Sequence, residues 1–178
     1  WLALPALKAA GQSINTTDEK VLEDAKAKLV AAKPNLLAYD DTTFYTRLVS
    51  GEVVQAEAWD GWCNYGTAEN PKIKFVIPSE GSDLWSDTMV ILKSSKNKEA
   101  AHAFINFILD PKNHAWVAEN ILYKVPNKAA MDAVGAELAK TYPNMGMSPA
   151  DLLKQETIVD LGDKSSAYTK LATEVTSS

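Results

Sequence analysis

The chain has 178 residues, 46% of them hydrophobic and 23% charged, with 23 acidic side chains against 18 basic ones and a formal net charge of −5. That length suits one domain with a real core and is marginal for two. An acidic chain without a basic cluster lacks the concentrated Lys and Arg that phosphate neutralisation needs, which argues against a nucleic-acid partner and mildly favours a cationic ligand.

The opening residues 1–11 read as the end of a helix with a Gly11 C-cap. Thr16 and Glu19 have the spacing of a capping box, and the helix after them buries Val21, Leu22, Ala25 and Leu29 and stops before Pro34. Residues 36–39 read as a short strand. Asp40 or Asp41 then caps a helix that runs to Ser50 and ends at Gly51. Runs at 53–59, 72–78 and 87–92 read as strands, with a loop at 79–83. From Asn97 a strong helix carries Ala101, Phe104, Ile105 and Ile108 at i, i+3, i+4 and i+7. Further helices are expected over 112–121, 128–139, 149–154 and 165–173, with an extended link at 123–127. Strands alternating with helices argue an α/β fold with a mixed or parallel sheet. The chain begins at Trp1 without Met, inside what reads as a helix, so the lack of a leader segment is read as a missing beginning.

Enzyme chemistry finds little support. His102 and His114 lie on predicted helices without a zinc-binding spacing, so packing or surface roles fit them. The single Cys63 can form no internal disulfide and no Cys-based metal site, and reads as a half-buried inert thiol. No nucleophile elbow, dinucleotide fingerprint or Walker loop occurs. No catalytic residue, metal ligand or cofactor site is expected. No apolar run approaches the roughly 18 residues of a membrane span.

The aromatic residues are more informative. Trp59 ends a predicted strand and is followed by Asp60, Gly61 and Trp62; Trp85 and Asp87 open another. Ligands in α/β proteins sit where loops diverge at strand ends, so these indoles are either platforms for a ligand or large core side chains. In an extended segment Trp85 and Asp87 face the same side. Together they suit a primary amine, whose methylenes pack on indole and whose ammonium donates to the carboxylate. Asp87 could equally bond locally.

The residues Ser50-Gly-Glu-Val53, Trp59, Ile77-Pro-x-Glu-Gly81 and Trp85-Ser-Asp87 are similar to the periplasmic spermidine/putrescine-binding proteins. The similarity continues in order through Ser95-Lys-Asn-Lys-Glu-Ala100, 104–111, Tyr123-x-x-Pro-Asn127, Asp160-Leu-Gly162 and Ser165-Ser-x-Tyr168. It covers the later half of a typical member. The resemblance implies a type II periplasmic-binding-protein fold, two lobes closing about a hinge. Residues 1–84 and 132–178 would then build the second lobe, and 85–131 would cross to the first. It implies that Trp59 and Trp85 are aromatic walls, that Asp87 holds an ammonium and that Tyr123 is a further contact. Asp60, Trp62 and Ile158 are weaker candidates. At 158 family members can carry a glutamine, and at 62 a small or acidic residue. The implied partners are a polyamine and the membrane permease of an ABC uptake system. The implied location is the periplasm or a lipid anchor outside the cell membrane. The 97–110 helix would expose an apolar face that packs on the other half of the protein, which favours a dimer or association with that half. Competing readings are a receptor for a cationic amino-acid derivative or a sugar, a hydrolase using Asp60 and Asp87, and a fragment that binds no ligand of its own.

Overall fold

The computed structural model describes Trp1–Ser178. Nine helices are present: α1 (Leu4–Lys8), α2 (Glu19–Ala32), α3 (Phe44–Ser50), α4 (Asp60–Glu69), α5 (Lys98–Leu109), α6 (Pro111–Ile121), α7 (Lys128–Thr141), α8 (Pro149–Leu152) and α9 (Ser165–Ser177). Two short strands, β1 (Asp83–Leu84) and β2 (Glu156–Thr157), pair in parallel with Asp83 opposite Glu156 and Leu84 opposite Thr157. The chain forms two compact units, one of Trp1–Asp41, Val76–Trp85 and Ser148–Ser178, the other of Thr42–Phe75 and Ser86–Met147.

In the first unit α1, α2 and α9 pack through Ala6, Leu7, Leu22, Ala25, Leu171 and Val175, with Val21, Leu29 and Tyr168 flanking them. The face expected of α2 is therefore the one it buries. Its cap differs: the Asp18 carboxylate accepts from the Val21 amide at 3.0 Å, and the Thr16 hydroxyl instead accepts from the Asp18 amide. A carboxylate two residues nearer the helix reaches its free amides more directly. The strand pair is held by Glu156. Its carboxylate accepts from Lys8 Nζ at 2.5 Å, the Ile14 amide at 3.1 Å, Asn15 Nδ2 at 3.1 Å and the Ser13 hydroxyl. Asn15 also donates to the Thr157 carbonyl and accepts from the Val159 amide, so one side chain clasps β2 on both flanks.

In the second unit α6, α7 and the turn at Pro143–Gly146 pack around Ala115, Ala118, Val125, Ala130 and Met145. Small residues at the helix contact let the two backbones approach. The Asp110 side chain caps α6 and the Asn127 side chain caps α7. Lys124 Nζ donates to the carbonyls of Met145 and Met147 at 2.9 and 2.6 Å, tying the link after α6 to that turn. Helix α3 begins at Phe44 with Thr43 at its N-cap, later than an Asp40 or Asp41 cap would start it, and Gly51 ends it in the left-handed conformation (φ 77°) as expected.

The expected strands at 36–39, 53–59, 72–78 and 87–92 do not form. A strand requires a neighbour for its amides and carbonyls, and no other segment of the 178 residues pairs with these runs. Several of their apolar residues accordingly face solvent, with Val54 99%, Val76 72% and Val90 77% exposed. Helix α5 forms where its periodicity predicts, but buries no residue, and Phe104, Phe107 and Leu109 are exposed. No helix is long and apolar enough to cross a membrane.

Burial alone would raise the Glu156 carboxyl, but the bonds from Lys8, Ser13 and Ile14 outweigh it and hold the group down at about 2, against 4.5 for an ordinary glutamate. A depressed folded-state value contributes stability above pH 4.5 that is lost as pH falls towards 2. Glu156→Gln is therefore expected to lower the melting temperature at pH 7. Losing one charge-assisted bond of about 1.5 kcal/mol corresponds to roughly 3–6 °C. In thermal melts the gap between wild type and variant should close between pH 4.5 and 2.

Candidate functional site

Trp59 is the N-cap of α4 and Asp60 its first residue. The sequence reading ends a strand at Trp59 and has no helix after it; the structure starts one there, so Asp60 sits where a helix N-terminus favours a carboxylate. The period that announces α4 is legible in retrospect, since Cys63, Asn64 and Thr67 fall on its buried face. Asn64 Nδ2 donates to the Leu122 carbonyl at 2.8 Å and the Tyr65 hydroxyl to the Ile121 carbonyl at 3.0 Å, both at the end of α6. Leu122 takes the left-handed conformation there (φ 58°), which turns the chain so that Tyr123 follows.

An aromatic group surrounds the start of α4. Buried Phe44 lies 6.4 Å from both Trp59 and Trp62, centroid to centroid. Trp62 lies 5.2 Å from Tyr45 and meets Tyr65 edge-on at 5.5 Å. Trp62 is thus engaged on several sides by α3 and α4, while Trp59 is packed by Phe44 and remains half-buried. Phe44, Tyr45 and Tyr65 are contributors that the sequence reading does not single out. The Trp62–Tyr65 spacing of one helical turn could have marked Tyr65, whereas Phe44 and Tyr45 come from another helix and depend on its packing.

Tyr123 is half-buried beside Asp60, Trp62, Tyr65 and Asp87. Burial first, then the negative charge of Asp60, pushes its phenol up to about 12; a backbone hydrogen bond from Trp62 opposes this, and Tyr65 and Asp87 add to it. The phenol therefore stays protonated and can donate. Asn144, itself buried, donates from Nδ2 to Asp60 Oδ2 at 3.3 Å. Burial, and to a lesser extent Asp60, also raises the Cys63 thiol, against a bond with Thr67, which keeps it from acting as a thiolate. Four of the seven residues singled out from the sequence, Trp59, Asp60, Trp62 and Tyr123, thus meet at the start of α4, and Asp87 exerts its charge on Tyr123.

Trp85 and Ile158 lie in the other unit. Trp85 follows β1 and Ile158 follows β2, so the parallel register that pairs Leu84 with Thr157 puts these two side by side beyond the strands' carboxyl ends. That is where α/β proteins place ligands. The expected extended strand carrying Trp85 and Asp87 on one face is absent, because pairing stops at Leu84. No group of three His, Cys, Asp or Glu side chains gathers as a metal site.

Aromatic side chains and carboxylates thus gather at the start of α4, the surroundings that a binding protein for a small solute uses. Residues 1–146 match the family described as bacterial extracellular solute-binding protein, and the chain belongs to that family. It is 36% identical over 167 residues to the spermidine/putrescine-binding periplasmic protein of Escherichia coli, covering 92% of this chain and 47% of that protein. It is 31% identical over 177 residues to a putrescine/cadaverine-binding protein of Pseudomonas aeruginosa, covering 96% and 50%. Among solved structures it resembles a putative spermidine/putrescine ABC transporter protein of Listeria monocytogenes, with a TM-score of 0.87 at 32% identity over 98% of this chain and 54% of that one. A spermidine/putrescine ABC transporter substrate-binding protein of Streptococcus pneumoniae gives a TM-score of 0.81 at 28% identity over 99% and 55%. The chain thus has part of the fold of the type II periplasmic binding proteins, and it spans about half the length of the curated relatives it matches.

The electrostatic account of Tyr123 is checked by spectrophotometric titration of its phenol. It is expected to ionise near 12, and Asp60→Asn should lower that value by removing the negative charge beside it. An unchanged value in Asp60→Asn would contradict the account.

Proposed function

We propose that the protein is a receptor of an ABC uptake system that captures a linear polyamine outside the cytoplasmic membrane and delivers it to a membrane permease without chemical change. What carries the reading is the combination of indoles with carboxylates: Asp60 and Asp87 both act on Tyr123, and Asp60 directly follows Trp59, whose indole packs on Phe44. An ammonium is attracted to an indole face by roughly 0.5–2 kcal/mol and bonds strongly to a carboxylate, while the methylenes between two ammonium groups gain from apolar contact. A neutral sugar would use the rings but leave the carboxylates without a counter-charge. The names of the relatives in Escherichia coli and Pseudomonas aeruginosa support the same ligand class and, for the former, a periplasmic location.

In this reading Trp59 and Trp85 are the walls, Asp87 is the main ammonium anchor and Tyr123 donates to the ligand or orients the anchor. Asp60 adds negative potential, Trp62 backs Trp59 through Phe44, and Ile158 extends the apolar surface next to Trp85. In the whole protein 1–84 and 132–178 contribute to one lobe and 85–131 to the other, and the lobes close on the ligand.

Calorimetric titration of the full-length protein tests this. Spermidine and putrescine should bind and glucose should not. Asp87→Asn should weaken amine binding by about ten- to a hundredfold, the equivalent of losing a charge-assisted hydrogen bond of roughly 1.5–3 kcal/mol. Trp85→Ala should weaken it as well. Glucose binding in place of amines, or an unchanged affinity in Asp87→Asn, would overturn the assignment.

A further inference from the structure

Gly61 is the second residue of α4, and its backbone is ordinary helix with no positive φ. Alanine is the better helix former at such a position, so a glycine there needs a reason other than conformation. The reason is steric. A Cβ built at Gly61 would lie 2.2 Å from Cε2, 2.3 Å from Cδ2 and 2.5 Å from Cζ of Tyr123, far inside van der Waals contact. All three of its nearest neighbours belong to that one ring. Gly66, further along the same helix, meets only ordinary contacts at 3.4 Å and beyond. The backbone that carries the ring is fixed, so the ring can make room only by leaving its place against α4. It is carried by the turn that Leu122 makes at the end of α6, and that turn is tied to α4 by Asn64 and Tyr65.

We infer that Gly61 is a positioning residue for the ligand site: its bare α-carbon is the seat on which the Tyr123 ring lies, and only that seat lets the ring pack against the start of α4. The inference rests on the polyamine reading for its ligand but not for its contact. A methyl group at 61 evicts the ring, carrying the phenol away from both carboxylates. Substitution at 61 therefore acts through Tyr123 rather than through α4. The burial of Gly61 fits this, because the ring covers it.

The test is a cycle of Gly61→Ala, Tyr123→Ala and the double variant in the full-length protein, read by thermal unfolding without ligand and by spermidine titration. With Tyr123 present, Gly61→Ala should lower the melting temperature, weaken spermidine at least tenfold and bring the phenol's ionisation back towards that of a free tyrosine. With Tyr123→Ala in place, the same Gly61→Ala change should raise the melting temperature, since only the helix preference of alanine remains. It should also add less than twofold to the loss of affinity. If Gly61→Ala alone does not fold, the double variant should restore folding, and its failure to do so overturns the inference. Equal destabilisation in both backgrounds overturns it too. Affinity lost in Tyr123→Ala but kept in Gly61→Ala removes the positioning role and leaves the polyamine reading standing. Unfolding coupled as expected, with spermidine binding untouched in every variant, removes Tyr123 from the ligand site and the positioning role with it.

Discussion

A backbone amide or carbonyl withdrawn from water has to find a partner, and that constraint decides what these 178 residues build. Helices satisfy it within themselves, so α2, α5, α6, α7 and α9 form wherever the period and the caps allow. Strands satisfy it only through neighbours. The runs at 53–59, 72–78 and 87–92 are rich in the residues strands favour, yet they find none, and Val54, Val76 and Val90 stay in water. Where two segments do meet, at β1 and β2, two residue pairs suffice because Glu156 and Asn15 bind the flanking chain from the side. The one small sheet is therefore stabilised by side-chain polarity more than by its own ladder.

The same constraint shapes the candidate site. Helix α4 leaves its first amides without partners inside the helix, and Asp60 sits in that turn with a buried Asn144 on its carboxylate. The end of α6 is closed by Leu122 in a left-handed conformation, and α4 satisfies the carbonyls of Ile121 and Leu122 through Tyr65 and Asn64. Side chains of α4 thus close the end of α6, and Tyr123 is delivered to the start of α4 as a consequence. Burial and neighbouring negative charge then keep its phenol protonated, a donor beside acceptors. The fold thereby brings π faces and carboxylates together at the start of α4.

How much of this was legible follows from range in the sequence. The buried face of α2, the C-cap at Gly51 and the existence of α5, α6, α7 and α9 depend on residues within a turn or two of each other, and the sequence displays them. Asp18 displaced Thr16 as the cap because it stands two residues nearer the free amides, a local competition that spacing alone does not resolve. Helix α4 was hidden by Trp59, whose bulk and neighbours read as the end of a strand, although the Trp62–Tyr65 and Asn64–Thr67 spacings carry its period. Nothing in the order of residues could show that Glu156 would gather Lys8, Ser13 and Asn15, or that Trp85 and Ile158 would stand side by side, since each depends on contacts between segments more than 70 residues apart. Trp59, Asp60, Trp62 and Tyr123 were singled out from chemistry and resemblance, and the fold brings these four together while leaving Trp85 and Ile158 in the other compact unit.

The central claim is that indoles and carboxylates on this chain hold a linear polyamine. A crystal structure of the full-length protein grown with spermidine tests it most directly. The account predicts the methylene chain lying against the indoles of Trp59 and Trp85, with an ammonium within hydrogen-bonding distance of the Asp87 carboxylate and Tyr123 seated on Gly61 beside it. Spermidine bound away from Asp87 and both indoles, or a site that takes a neutral sugar in its place, would contradict it.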